Sequence, residues 1–241
     1  MSKVIVTSMS QKYFDMSGLT WLNSLCSTNP GVTPYIVSED MPQSLYVHPI
    51  YRKCDYNKFI AKAVKQEEAK DPTNYRWQAR RFCHKVFSVE QAFYTFTDDE
   101  IYWFDADVEF TGKIDFDALK PYESGVTYLG RSAWAHTEGG FIGFGSEAHD
   151  IIDMWLDFYL TGSLFMLQEW HDMYAFDMAL ALTKCPKKNL AENIALKHVW
   201  PHTVLANFSA HHKGPGRKQE AFGKNDAISG AVLQSTDDVK E

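Results

Sequence analysis

Two carboxylates one residue apart, Asp105 and Asp107, follow directly on the apolar run Ile101-Tyr102-Trp103-Phe104. Ionised carboxylates at the end of a buried strand are costly unless something positive sits beside them. A hard divalent cation such as Mg²⁺ or Mn²⁺ meets that demand, because it takes oxygen ligands and keeps positions free for phosphate. The same pair would also suit a solvated turn after a strand. Further groups could complete such a site. Arg81 and Lys85 lie four apart on one helical stretch and could neutralise a diphosphate. His211, in the run His211-His212-Lys213-Gly214-Pro215-Gly216-Arg217-Lys218, could add an imidazole ligand, and its Lys213, Gly214 and Lys218 could bind phosphate oxygens. Gly139-Gly140 would let backbone approach a ligand closely. Glu138, Glu169 and Asp172 are further carboxylates around and beyond the glycine pair. Equally, Glu169 and Asp172 suit the first turn of a helix.

The elements that must position these groups follow from hydrophobic periodicity. Lys3 to Thr7 predicts a strand, and Thr7-Ser8 at its C-terminal end would lie near a nucleotide or cap the next helix. A helix over 11–27 ends at Asn29-Pro30-Gly31, and 34–37 predicts a second strand. This β-α-β opening favours a parallel sheet with a right-handed crossover. Residues 38–54 read as a loop, and 55–70 as a helix with a solvated second half. The stretch 77–94 is a helix whose apolar face is Phe82, Val86, Val89 and Phe93. After the acidic pair come a short turn at 114–119, strands at 126–129 and 141–144, a helix over 147–160 and another from Glu169 to Leu182. Beyond Pro186 the chain is less regular. Residues 1–222 read as one domain and 223–241 as a loose polar tail.

A chain of 241 residues with 45% hydrophobic content can build a full core. A net charge of −7 disfavours holding nucleic acid by bulk electrostatics. A local groove from Lys184, Lys187, Lys188, Lys213, Arg217 and Lys218 is compatible with that total. The four cysteines are widely spaced, without a C-x-x-C, and read as reduced thiols. No apolar run reaches the length of a membrane span and no signal peptide is visible, so a cytoplasmic protein is expected.

In order along the chain, these pieces resemble the nucleotide-sugar glycosyltransferases of the GT-A fold, in the group of glycogenin and bacterial galactosyltransferases. The carriers are Lys85 followed by the strand ending in Asp105-Ala106-Asp107, then Gly139-Gly140-Phe141-Ile142-Gly143, then His211-His212-Lys213-Gly214 with Arg217 and Lys218. Arg81-Phe82-Cys83-His84-Lys85 and Glu169-Trp170-His171-Asp172 are similar to segments of phage-encoded glycosyltransferases. The sequence departs from the pattern in having no Pro-Trp after Arg217-Lys218.

The resemblance implies a single α/β Rossmann-like domain with a mostly parallel central sheet flanked by helices. It implies Mn²⁺ or Mg²⁺ held by Asp105, Asp107 and His211, with a nucleotide-sugar donor, a UDP-sugar being expected, contacted by Thr7, Ser8, Arg81, Lys85, Asp105, Gly139, Gly140, Lys213, Gly214 and Lys218. The activity implied is that of a hexosyl- or pentosyltransferase. The acceptor stays open among a saccharide, a protein hydroxyl, a small metabolite and, if the protein is phage-encoded and works in the host cytoplasm, a hydroxymethylated DNA base; Asp172 is the candidate base for its hydroxyl, with Glu138 and Glu169 behind it. Two alternatives stand beside it. A haloacid-dehalogenase-like phosphatase also places D-x-D after an apolar strand, with the first Asp as nucleophile. A non-catalytic sugar- or nucleotide-binding protein would use the same groups to bind only.

Overall fold

In a computed structural model, which describes residues 2–131 and 136–213, strand β1 (Lys3–Met9) lies in the interior of a seven-stranded sheet. The other strands are β2 (Thr33–Ser38), β3 (Val47–Pro49), β4 (Glu100–Phe104), β6 (Val126–Tyr128), β7 (Phe141–Phe144) and β8 (Lys187–Asn189), in the order β3-β2-β1-β4-β7-β6-β8. β3, β2, β1 and β4 run parallel, β7 is antiparallel to both β4 and β6, and β8 is parallel to β6. A separate two-stranded ladder pairs β5 (Val108–Phe110) with β9 (Ser209–His211). The fold is therefore mixed α/β with a mostly parallel central sheet flanked by helices, as expected.

Helices cover both faces because the central strands are apolar on both. In β4 Ile101 and Trp103 enter one core while Tyr102 and Phe104 enter the other. β1 divides in the same way, Val4 and Val6 against Ile5 and Met9. This is the continuous apolar run of a strand buried on two sides. The first core holds α2 (Lys53–Glu67), α3 (Ala79–Thr95), α4 (His149–Thr161) and α5 (Asp172–Leu182). The second is closed by α1 (Leu19–Thr28) and the segment through Val199, Trp200 and Leu205.

Several expectations change. The helix expected over 11–27 is a helical turn at Gln11–Tyr13, a π-helix at Phe14–Gly18 and then α1. A Cβ on Gly18 would stand 2.7 Å from both Met9 Sδ and Phe14 Cδ2, so this widened turn packs tightly against the end of β1. The loop 38–54 contains β3, and the irregular C-terminal region contains β8 and β9. These three-residue strands are too short to leave a period-2 signature. Helix α3 is buried well beyond its expected stripe, including Cys83, Lys85, Phe87, Ser88, Glu90 and Gln91, because it is enclosed by neighbouring helices and the sheet. α5 begins at Asp172, so Glu169 lies before the helix and not in its first turn. Gly162 ends α4 at φ +75°, the left-handed cap that glycine adopts without strain.

Candidate active site

The chain leaves β1 toward β2 and β3 on one side, then returns to place β4 on the other. Ligands in open α/β sheets bind beyond the strand ends at such a reversal. Asp105 is the first residue past β4, at this point. Because β7 runs antiparallel to β4, its beginning lies at the same end, with Phe141 opposite Phe104. Gly140 therefore abuts Asp105, whose N–H donates to the Gly140 carbonyl (3.0 Å). The β5–β9 ladder brings in the third group. Val108 pairs with His211, and His212 N–H donates to the Asp107 carbonyl (3.0 Å).

One ligand atom each from Asp105, Asp107 and His211 lies within 4.8 Å of the others. His211 Nε2 is 3.2 Å from Asp107 Oδ1 and 3.8 Å from Asp105 Oδ2. The Asp105 side chain is 30% exposed and that of His211 only 2%, so the cluster opens outward at Asp105. A Cβ on Gly140 would come within 2.6 Å of His211 Cε1, so only glycine lets this imidazole lie against the backbone. Burial disfavours the His211 imidazolium, but Asp107, Glu138 and Asp105 outweigh it and push its pKa up to about 9. Asp107 and Asp105 thus favour the charged form of the imidazole. Two carboxylates and one imidazole, partly open, fit a hard or borderline divalent cation that retains outer positions for phosphate oxygens.

Lys85 stands on the other side of Asp105. Its ammonium is 3.2 Å from Asp105 Oδ1 and 2.8 Å from Asp172 Oδ2, and it donates to the Gly139 carbonyl at 2.8 Å. A Cβ on Gly139 would lie 2.8 Å from that ammonium. Burial works against the charge of Lys85, but the two carboxylates overcome it and raise its pKa. Asp172 shows the reciprocal effect. Burial favours its neutral form, and Lys85 with His171 holds it well below the usual carboxylate range. Trp103 Nε1 donates to Asp105 Oδ1 (2.8 Å), fixing the carboxylate from behind.

The remaining expected residues divide. Glu138 is fully buried. His198 Nδ1 lies 2.7 Å from its Oε1, Val199 N–H donates to its Oε2 (2.8 Å), and His211 Nδ1 is 3.4 Å from Oε1. Burial would raise its pKa, yet His198 and His211 hold it well below the ordinary range. Glu138, expected as a second candidate base, is thus a buried carboxylate held between two imidazoles and a backbone N–H. Asp172, expected as the candidate base, is 3% exposed and paired with Lys85.

Thr7 is fully buried inside β1, which continues to Met9; Ser10 is the residue that caps the following turn, accepting from Tyr13 N–H (3.3 Å). Ser8 is partly buried. Arg81 Nη1 donates to Gln78 Oε1 (3.2 Å), and Arg81 lines a groove with Glu67, Glu68 and Trp77. Lys213 N–H donates to the His211 carbonyl (3.0 Å). Gly214, Arg217 and Lys218 lie outside the described residues, as does the expected tail. Lys187 and Lys188 donate to the Leu180 (2.6 Å) and Ala118 (2.7 Å) carbonyls, which ties down two members of the expected basic groove. The cysteines are free thiols, and among the described residues no helix is long and apolar enough to cross a membrane.

Sequence reasoning assigned no role to His136, His171 and His198. His136 and His198 acquire their partners Glu169 and Glu138 only by folding, whereas His171 sits within Glu169-Trp170-His171-Asp172, where the carboxylates on either side were the only signal.

No family model matches the chain, and no curated protein matches it. Among solved structures it is similar to a glycosyltransferase involved in the glycosylation of the major capsid of PBCV-1, at 12% identity over 91% of this chain and 100% of that one, with a TM-score of 0.49. It is also similar to the glycosyltransferase GlyE of Streptococcus pneumoniae TIGR4, at 16% identity over 80% of this chain and 46% of GlyE, with a TM-score of 0.46. The chain thus spans about half the length of GlyE.

Proposed function

We propose that the protein is a metal-dependent glycosyltransferase that moves a sugar from a nucleotide-diphosphate sugar, a UDP-sugar being the first candidate, to an acceptor hydroxyl. The observation that carries this reading is the convergence of Asp105, Asp107 and His211 beside Lys85, at the topological switch point of the sheet. A bound Mn²⁺ or Mg²⁺ would supply Lewis-acid stabilisation of the departing diphosphate. Asp105, Asp107 and His211 would hold it, His211 giving up its proton as it becomes a ligand.

The chain's own groups do the rest. Lys85 fixes Asp105 and adds preorganised positive charge next to the diphosphate site. Asp172 holds Lys85 in place rather than accepting a proton. Glu138 orients His211 from behind, as the outer carboxylate of a histidine ligand does. Gly139 and Gly140 keep the space beside these groups free of side chains. In the phosphatase alternative a later acidic pair would be needed; here the group that joins the Asp105 pair is an imidazole. The acceptor is proposed to be a saccharide or a hydroxylated base. The net charge of −7 weighs toward the former.

The test is a thermal-shift screen of nucleotide-sugars with and without Mn²⁺. At a ligand concentration near one hundred times Kd, binding stabilises by about 2.7 kcal/mol, a rise of roughly 5–10 °C for a chain of this size. The rise is expected only when nucleotide and metal are both present. Failure of every nucleotide-sugar to give a metal-dependent shift would overturn the proposal. Donor hydrolysis or transfer then separates an enzyme from a binding protein.

A further inference from the structure

A second cluster lies outside the groups used above. His136 stands just before Thr137-Glu138-Gly139-Gly140, while Glu169 and His171 immediately precede α5. One ligand atom from each lies within 4.8 Å of the others. Glu169 Oε2 sits between the two rings, 3.0 Å from His136 Nε2 and 2.9 Å from His171 Nε2. Ligand atoms at zinc-bonding distance around a tetrahedral ion are about 3.3 Å apart. The two Glu169–imidazole distances are therefore within a few tenths of an ångström of that value.

Independent support comes from His136 itself. It is 8% exposed, yet neither ring nitrogen has a hydrogen-bond partner among the described residues. Glu169 is close to Nε2, but no hydrogen bond forms. A buried polar group left in this condition costs stability, and a metal ion is one partner that removes the cost.

The surroundings are built to orient these ligands. Arg76 Nε lies 3.4 Å from the other Glu169 oxygen. Asp177 accepts from Thr137 N–H (3.0 Å) and its hydroxyl (2.5 Å), and its Oδ2 is 3.9 Å from His136 Nδ1. Asp172 Oδ1 is 3.8 Å from His171 Nδ1. Carboxylates behind the far nitrogens of histidine ligands are a recurrent outer shell. In the ion-free arrangement His171 Nδ1 accepts from Tyr174 N–H (3.3 Å), so Nε2 carries the proton facing Glu169. An ion at Nε2 would need this single ring proton to move to Nδ1, facing Asp172, with no net proton released and with Tyr174 N–H giving up its acceptor.

We propose that His136, Glu169 and His171 form a second metal site, suited to a borderline divalent ion such as Zn²⁺. Two imidazoles and one carboxylate select such an ion over Mg²⁺ or Ca²⁺. The site ties the segment leading to Gly139-Gly140 to the start of α5, where Asp172 holds Lys85.

The experiment uses the full chain, stripped with a chelator, titrated with Co²⁺ and followed by visible d–d absorption, with Zn²⁺ competition giving affinity. The Asp105→Asn/Asp107→Asn variant is expected to keep one equivalent of Co²⁺ with the absorption of a four-coordinate ion. His136→Asn and Glu169→Gln are expected to lose Zn²⁺ affinity by more than the roughly 10–100-fold that an outer-shell change costs. Absence of bound Co²⁺ in the Asp105→Asn/Asp107→Asn variant would overturn the proposal, as would a thiolate charge-transfer band or unchanged affinity in Glu169→Gln. Should His136→Asn fail to fold, Glu169→Gln and the stoichiometry of the Asp105→Asn/Asp107→Asn variant still decide.

Discussion

The two histidine–carboxylate clusters use similar residues and differ in access and donor type. Asp105, Asp107 and His211 offer two carboxylates and one imidazole, and Asp105 is partly open to solvent. His136, Glu169 and His171 offer two imidazoles and one carboxylate, with both rings buried. The first composition suits a hard ion whose outer positions are taken by a phosphorylated ligand. The second suits an ion held for structure. Between them runs one chain of contacts, from Asp105 through Lys85 to Asp172 and His171. The comparison teaches that the chemistry of a cluster depends on which ligand faces solvent as much as on which ligands are present.

Lys85→Ala should have the largest effect, because it cuts this chain at its centre. It leaves Asp172 buried without its cation, a loss of about 3–5 kcal/mol by analogy with other broken buried pairs. Denaturant unfolding measures it. A loss under about 1 kcal/mol would mean that the two clusters do not depend on a common ion pair.

Asp105→Asn/Asp107→Asn should abolish the Mn²⁺-dependent nucleotide shift, about 2.7 kcal/mol at one hundred times Kd, while leaving Zn²⁺ affinity at His136 within a few-fold. Loss of both would show that the clusters are one unit.

Glu138→Gln keeps the volume but weakens the hold on His211. A fall of roughly 10–100-fold in Mn²⁺ affinity is expected by calorimetry, without change at the His136 cluster. An unchanged Mn²⁺ affinity would remove Glu138 from the support of the first site.

The smallest effect is expected for Asp177→Asn, which retains the side-chain carbonyl facing Thr137 but removes the charge behind His136. Zn²⁺ affinity should fall by about 10-fold or less, with Mn²⁺ affinity unchanged. A larger effect on Mn²⁺ than on Zn²⁺ would reverse the assignment of Asp177.

Much of the parallel half was legible in advance. Lys3 to Thr7 and Ile101 to Phe104 are apolar on both faces, which marks buried strands, and Asp105-Ala106-Asp107 falls at the end of the second. Lys85 was legible as a cation on the preceding helix, although its burial was not. A basic residue at helical spacing has the same signature whether it faces water or a carboxylate. β8 and β9 were not legible, because each is three residues long and is specified by its partner strand more than by its own pattern. Without β9 the sequence could name His211 but could not say what lay opposite it.

The sequence by itself determined the alternation of buried strands and helices, and the carboxylate pair at a strand end, because local periodicity and residue type carry that information. Tertiary structure decided which charges meet. The antiparallel entry of β7 put Gly140 against Asp105, the β5–β9 ladder put His211 against Asp107, and folding buried Glu138 and Asp172 beside His211 and Lys85. Burial and pairing set the protonation of a carboxylate, and both arise from residues distant in the chain. The role of each acidic group therefore became readable only once its neighbours were in place.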